Sequence, residues 1–191
     1  MPNTLLLDTS CSYASVLCTM QDIDFFESKH RPEKGHDHFV FSVLDNIAHQ
    51  SPDFRSQLEV LGCCIGPGRF NGVRVACSII STFMSVLGKP AYVCTAFELM
   101  RAADIHKHIA GYAIFAKKGF AYYQEADFSR PPQMVSILDL HFNTHVLEIE
   151  GSFIQSSAVL DLNLMSDLIQ KGQALKIVRA IDLDPAYCAL I

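Results

Sequence analysis

The stretch CCIGPGRFNGVR, residues 63 to 74, constrains the fold more than any other, because three glycines and a proline stand between a short apolar run and a long helix-forming segment. A glycine-rich turn from strand to helix is a natural anion site, since free backbone N–H groups and the positive end of the helix dipole both face a ligand there. Two common phosphate fingerprints can be tested against it. A P-loop needs Gly, four residues, then Gly-Lys-Ser/Thr. Here five residues separate Gly66 from Gly72, and Val73 and Arg74 follow. A dinucleotide loop needs Gly-x-Gly-x-x-Gly and an acidic residue at the end of the next strand. Here three residues separate Gly68 from Gly72, and the predicted strand Ala91 to Thr95 ends without Asp or Glu. Neither pattern holds. The better-supported reading is a tight strand-to-helix turn in which glycine permits positive φ and close packing.

Around that turn the chain reads as strands and helices in alternation. Thr4 to Leu7 is an apolar strand ending at Asp8-Thr9-Ser10. Tyr13 to Met20 and Phe25 to Lys29 continue it as a meander, with a turn at Gln21-Asp22. His36 to His49 places Phe39, Val40, Val43, Leu44 and Ile47 at helical spacing, and Ser51-Pro52 ends it. Leu58 to Ile65 is the strand before the glycine turn and Val73 to Leu87 the helix after it, stopped by Gly88-Lys89-Pro90. A strand at Ala91 to Thr95 and a helix at Ala96 to Ala103 follow. The order β-β-β-α-β-α-β-α predicts a mixed α/β lobe over residues 1–105. Residues 106–191 read as a smaller second lobe. Its strands are expected near Tyr112 to Phe115, Ala121 to Asp127 and His145 to Ile149, and its helical segments at Ser136 to His141 and Asp161 to Lys171.

With half of its 191 residues apolar, the chain can bury a core without staples. A net charge of −5 gives no electrostatic footprint for free-standing nucleic-acid binding, so contact with RNA is expected only through a partner. The seven cysteines, Cys11, Cys18, Cys63, Cys64, Cys77, Cys94 and Cys188, lie mostly in apolar runs without Cys-x-x-Cys spacing and read as reduced core residues. The N-terminus lacks the basic region and long apolar run of a signal peptide. The longest uncharged run, Val75 to Gly88, is shorter than a membrane span. A cytoplasmic protein without membrane association is expected.

The helix Val73 to Leu87 carries no charge between Arg74 and Lys89, its polar residues being Ser78, Ser81, Thr82 and Ser85. A surface helix normally has a charged face. Its predicted neighbour is apolar through Phe39-Val40-Phe41, so the two helices are expected to present a protein interface, a kind of surface that monomers rarely expose. The residues expected to form it are His36, Phe39, Val40, Val43, Arg74, Val75, Ile79 and Phe83.

A first strand ending Asp8-Thr9-Ser10, a meander, a helix and then IGPGRFNGVR, in that order, resembles the TsaB (YeaZ) family. The family's turn reads Gly-Pro-Gly-Ser-Phe-Thr-Gly-Leu-Arg, matched by Gly66, Pro67, Gly68, Phe70, Gly72 and Arg74, with Arg69, Asn71 and Val73 as departures. Its first helix begins His-Ser-Glu and reaches an Asp nine residues on, and His36 and Asp45 keep that spacing. In the second half, FAKKGFAYY keeps Ala116 and Tyr122 of the family's Asp-Ala-Arg-Arg-x-Glu-Val-Tyr strand, but Phe115 and Phe120 stand where the Asp and Glu would be. Near the end, Pro185 and Tyr187 match the family's Pro-x-Tyr-Leu-Arg pattern, with Cys188 and Ala189 in place of Leu-Arg.

The resemblance implies an actin-like ATPase (ribonuclease H-like) fold of two lobes, the second reduced. It implies an accessory subunit in the formation of threonylcarbamoyladenosine in tRNA, without catalysis of its own. The implied partners are a TsaD-like transferase bound through the two first-lobe helices, a TsaE-like ATPase within the same assembly, tRNA only indirectly, and a second copy of the chain through similar helices. No cofactor is expected. The alternative is a nucleotide-binding transferase acting by itself, with phosphates at Asp8, Thr9, Ser10, Gly66 and Gly68. It lacks a second phosphate loop, because the glycines after residue 110 are isolated. A metal reading on His36 and His38 fails on spacing: two residues apart on a helix, they point to different faces, and the position four after His36 is Val40.

Overall fold

The computed structural model describes residues 2–21, 23–103, 109–117, 119–141, 143–147 and 162–177. The expected features at Pro185, Tyr187 and Cys188 lie outside them. Strands β1 (Thr4–Asp8), β2 (Tyr13–Met20) and β3 (Ile23–His30) form the expected antiparallel meander. Helix α1 (His36–Gln50) and the short α2 (Phe54–Gln57) lead to β4 (Val60–Cys64), which lies parallel to β1. Helix α3 (Phe70–Leu87) crosses over to β5 (Ala91–Cys94), parallel to β4, and α4 (Ala96–Ala103) follows.

β1 reads as a continuous apolar run because both of its faces are covered, as in a central parallel strand. Leu5 and Leu7 face α1 and α3 in one core, with Val40, Val43, Ile47, Val73, Ala76 and Ile80. Leu6 faces the other way, into a second core with Leu17, Phe97, Met100, Tyr112, Leu162 and Met165. α4 starts in a reciprocal capping box. The Thr95 backbone amide and hydroxyl donate to Glu98 Oε2 at 2.6 and 2.9 Å, and the Glu98 amide donates to Thr95 Oγ1 at 3.1 Å.

The later part of the chain forms β6 (Gly111–Lys117), β7 (Phe120–Glu125), β8 (Gln133–Ser136), a 3₁₀ turn at Ile137–Asp139, β9 (Thr144–Leu147), α5 (Leu162–Gln170) and β10 (Leu175–Ile177). The second sheet has the order β8-β7-β6-β9. The first has the order β10-β5-β4-β1-β2-β3, so the last described strand returns to complete it, antiparallel to β5. Residues on both sides of position 105 therefore build the first sheet and its second core. Ser136 to His141, expected to be helical, is instead the end of a strand and a single 3₁₀ turn.

α3 begins at Phe70, three residues before the expected start, so the last part of the glycine-rich stretch is helical. At eighteen residues it is long and apolar enough to cross a membrane by length and composition alone, contrary to the expectation from Val75 to Gly88. In this fold it lies on the sheet, with Val73, Ala76, Cys77, Ile79, Ile80 and Met84 buried. It ends at Gly88, left-handed at φ 64°, whose N–H donates to the Met84 carbonyl.

Candidate functional site

The glycine turn meets the β1–β2 loop directly. Arg69 N–H donates to the Ser10 carbonyl at 2.7 Å. Thr9 Oγ1 donates to the Gly72 carbonyl at 2.6 Å and accepts from Ala76 N–H at 3.2 Å. On the other side of the turn, Ala96 N–H donates to the Gly66 carbonyl at 2.8 Å. The approach is so close that a Cβ on Gly68 would lie 2.1 Å from the Ser10 carbonyl oxygen, and one on Gly72 would lie 2.0 Å from that of Thr9.

Asp8, Thr9, Ser10, Gly66 and Gly68 are thus brought together, and the two loops are bonded to each other. Asp8 is buried. Its Oδ1 accepts from Ser10 N–H at 2.8 Å, while Oδ2 finds no hydrogen-bond partner among the described residues. Burial holds this carboxyl above its usual range, with the Ser10 amide pulling only part of the way back.

The histidines are separated by the packing. His36 lies against Gly72, with Nδ1 3.1 Å from where a Gly72 Cβ would be. His38 lines a different pocket, beside Lys29, Glu33 and Lys34. Among the described residues no group of His, Cys, Asp or Glu is arranged to hold a metal ion. Cys11, Cys18, Cys63, Cys64, Cys77 and Cys94 are buried thiols. Burial raises Cys18 to about 11 and Cys94 to about 12, the nearby Glu98 carboxylate adding to the latter, so they are no nucleophiles at neutral pH.

The structure divides the expected interface residues in two. Phe39, Val40, Val43 and Ile79 are buried in the chain's own core. Phe39, Val40 and Val43 are therefore packing residues rather than contact residues, whereas Ile79, packed in the same core, also lines the groove between α1 and α3. The spacing of 39, 40, 43, 44 and 47 was the signature of α1 lying on a sheet. Arg74 is exposed, and His36, Val75 and Phe83 are partly so. Joining them are Phe41, at 55 % exposure and already part of the Phe39-Val40-Phe41 run on which the interface was expected, and two side chains not singled out as contacts from the sequence, Phe70 at 55 % and Val86 at 77 %. Phe41 falls off the buried α1 stripe, and that off-period position separates it from Phe39 and Val40.

Between α1 and α3 runs an open groove of about 320 Å³ lined by Asp37, Phe41, Asn71, Arg74, Val75, Ser78 and Ile79. The hydroxyls along α3 do not make this face as polar as its composition suggests. Thr82 Oγ1 donates to the Ser78 carbonyl and Ser85 Oγ to the Ser81 carbonyl, both at 2.9 Å, so their donors are satisfied within the helix. In the second sheet, Phe115 lies in β6, and Phe120 opens β7 at 43 % exposure.

The backbone as a whole superposes on YeaZ from Pseudomonas aeruginosa with a TM-score of 0.72, covering 98% of this chain and 100% of that one at 16% identity. The fold is that of YeaZ. A second structure, of a protein with similarity to peptidase YeaZ from Pseudomonas aeruginosa, gives a TM-score of 0.70 at 16% identity, with 98% and 99% of the two chains covered. No family model and no curated protein sequence matches the chain. At this identity the likeness establishes the mixed α/β fold alone, over nearly the full length.

Proposed function

We propose that this chain is a TsaB-type accessory subunit. It docks through the exposed face of α1 and α3 onto a TsaD-like transferase that forms threonylcarbamoyladenosine in tRNA, and it contributes no catalytic group of its own. The assembly acts in the cytoplasm, includes a TsaE-like ATPase, and meets tRNA through the partner. The observation that carries this reading is the α3 surface. An eighteen-residue helix with Arg74 as its one charged residue leaves Val86 and Phe70 exposed, and Phe41 is exposed on the neighbouring α1. Large apolar side chains left exposed on two neighbouring helices mark a protein interface. The YeaZ fold and the TsaB-like glycine turn support the same reading.

The alternative, a nucleotide-dependent transferase acting alone, is disfavoured by the bonds that join its two would-be phosphate loops. The test is co-purification with the TsaD-like protein of the same organism, followed by light scattering on the chain alone and on the mixture. A stable complex that Phe41→Glu prevents is the expected result. Failure of the wild-type chain to form a complex, with the chain itself monomeric, would refute the docking role.

A further inference from the structure

We propose that Arg74, laid against the Phe70 ring at the mouth of the α1–α3 groove, is the ionic anchor of the docking face and receives a carboxylate from a helix of the partner protein. The inference rests on the docking role proposed above and names the chemistry that the partner must bring.

Arg74 is exposed, and its guanidinium carbon stands 5.1 Å from the centroid of the Phe70 ring, one turn earlier on α3. It is the one charged residue of α3, whose first turn holds no acid. Asp37 lines the same groove from the α1 side. Neither Arg74 nor Asp37 has an ion-pair partner among the described residues. Two opposite charges therefore stand unpaired on facing walls of a groove that continues into an uncharged surface.

Stacking on a ring holds the planar guanidinium fork in place before a partner arrives, so less side-chain freedom is lost when it takes a carboxylate in bidentate fashion. The surrounding Phe41, Val75 and Ile79 would exclude water from that contact, the setting in which an interfacial arginine dominates binding. The occupant that fits is a protein helix with an acid facing Arg74, a cation or hydrogen-bond donor facing Asp37, and small or apolar side chains over Val75, Phe83 and Val86. A polyanion does not fit, because Asp37 and the apolar continuation oppose it.

The test measures affinity of the full chain for the TsaD-like protein at low and high salt, with thermal melts confirming that each variant is folded. Arg74→Ala is expected to weaken binding about 30- to 100-fold and Arg74→Lys about 10-fold, since lysine keeps the charge but lacks the fork. Arg74→Ala should flatten the salt dependence, whereas Arg74→Lys, which keeps the charge, should retain it. Binding within about twofold of wild type for Arg74→Ala, while Phe41→Glu abolishes it, would overturn the anchor and leave docking intact. Unchanged binding by both variants, or no binding by the wild type, would overturn docking itself. If the chain alone is a dimer that Arg74→Ala dissociates, the carboxylate is Asp37 of a second copy and the assignment to a partner protein is overturned.

Discussion

Replacing Gly72 with alanine tests whether the glycine turn is a closed structural junction or a cradle awaiting a ligand. Gly72 lies inside α3, so helix propensity alone favours alanine by about 0.8 to 1 kcal/mol. The packing says the reverse. The new Cβ would stand 2.0 Å from the Thr9 carbonyl oxygen, which is backbone and cannot swing aside. Ordinary contact distances near 3.5 Å require the loops to part by about 1.5 Å. Parting breaks the Arg69–Ser10, Thr9–Gly72 and Ala76–Thr9 hydrogen bonds. At roughly 0.5 to 1.5 kcal/mol each, they amount to about 1.5 to 4.5 kcal/mol. Overpacking adds about 1 to 3 kcal/mol. After subtracting the propensity gain, the expected loss is about 1.5 to 7 kcal/mol, a large share of the roughly 5 to 15 kcal/mol that holds a domain folded. For a chain of this size the melting temperature should fall by about 3 to 28 °C. Urea unfolding followed by far-UV circular dichroism measures this directly. Gly88→Ala is the control, since nothing lies within 4 Å of its Cβ position and its φ of +64° is the only obstacle; it should cost about 1 kcal/mol. If Gly72→Ala proves as stable as wild type or more so, the two loops are not locked, and a phosphate site there becomes tenable again.

Three further outcomes are expected. Phe41→Glu and Val86→Glu should each change stability by less than about 1 kcal/mol while removing partner binding, whereas Ile79→Glu, 7 % exposed in the core, should unfold the chain; a soluble, folded Ile79→Glu would contradict the burial described above. Because burial raises the Asp8 pKa in the folded state, the folded chain holds this proton more tightly than the unfolded one. The associated stability is present at low pH and is lost as pH rises through the folded value. Asp8→Asn should therefore flatten the decline in urea midpoint between pH 4 and pH 8, and an unchanged slope would argue against that origin. Finally, peptide mapping after brief treatment with a thiol reagent at pH 8 should find Cys11, Cys18, Cys63, Cys64, Cys77 and Cys94 unmodified until denaturant is added.

The meander and the crossovers were legible because local signals agree there: alternation in β2, the 39-40-43-44-47 stripe of α1, and Gly88 closing α3. The start of α3 was hidden because Gly72 looks like turn chemistry, whereas its lack of a side chain serves close approach to Thr9 from within a helix. β8 and β10, of four and three residues, are set by their neighbours β7 and β5 rather than by any pattern of their own. The uncharged character of α3 was visible, but not which side the sheet would take. Val75, Ile79, Phe83 and Val86 are alike in composition, yet Ile79 is buried and Val86 is 77 % exposed. Only tertiary placement separates a core helix residue from a contact residue.

The return of α5 and β10 to the first sheet sets the order in which the molecule can be made. When residue 105 leaves the ribosome, five strands of that sheet exist, but Leu6 and Leu17 still lack Leu162 and Met165, and the edge of β5 is open. At about 5 to 20 residues per second, roughly 4 to 15 s pass before β10 emerges. Through that interval the nascent chain offers an apolar sheet face and an unpaired strand edge, so its yield in a cell depends on chaperone cover during synthesis. A fragment ending near residue 105 would carry the same exposure permanently and should collect in the insoluble fraction.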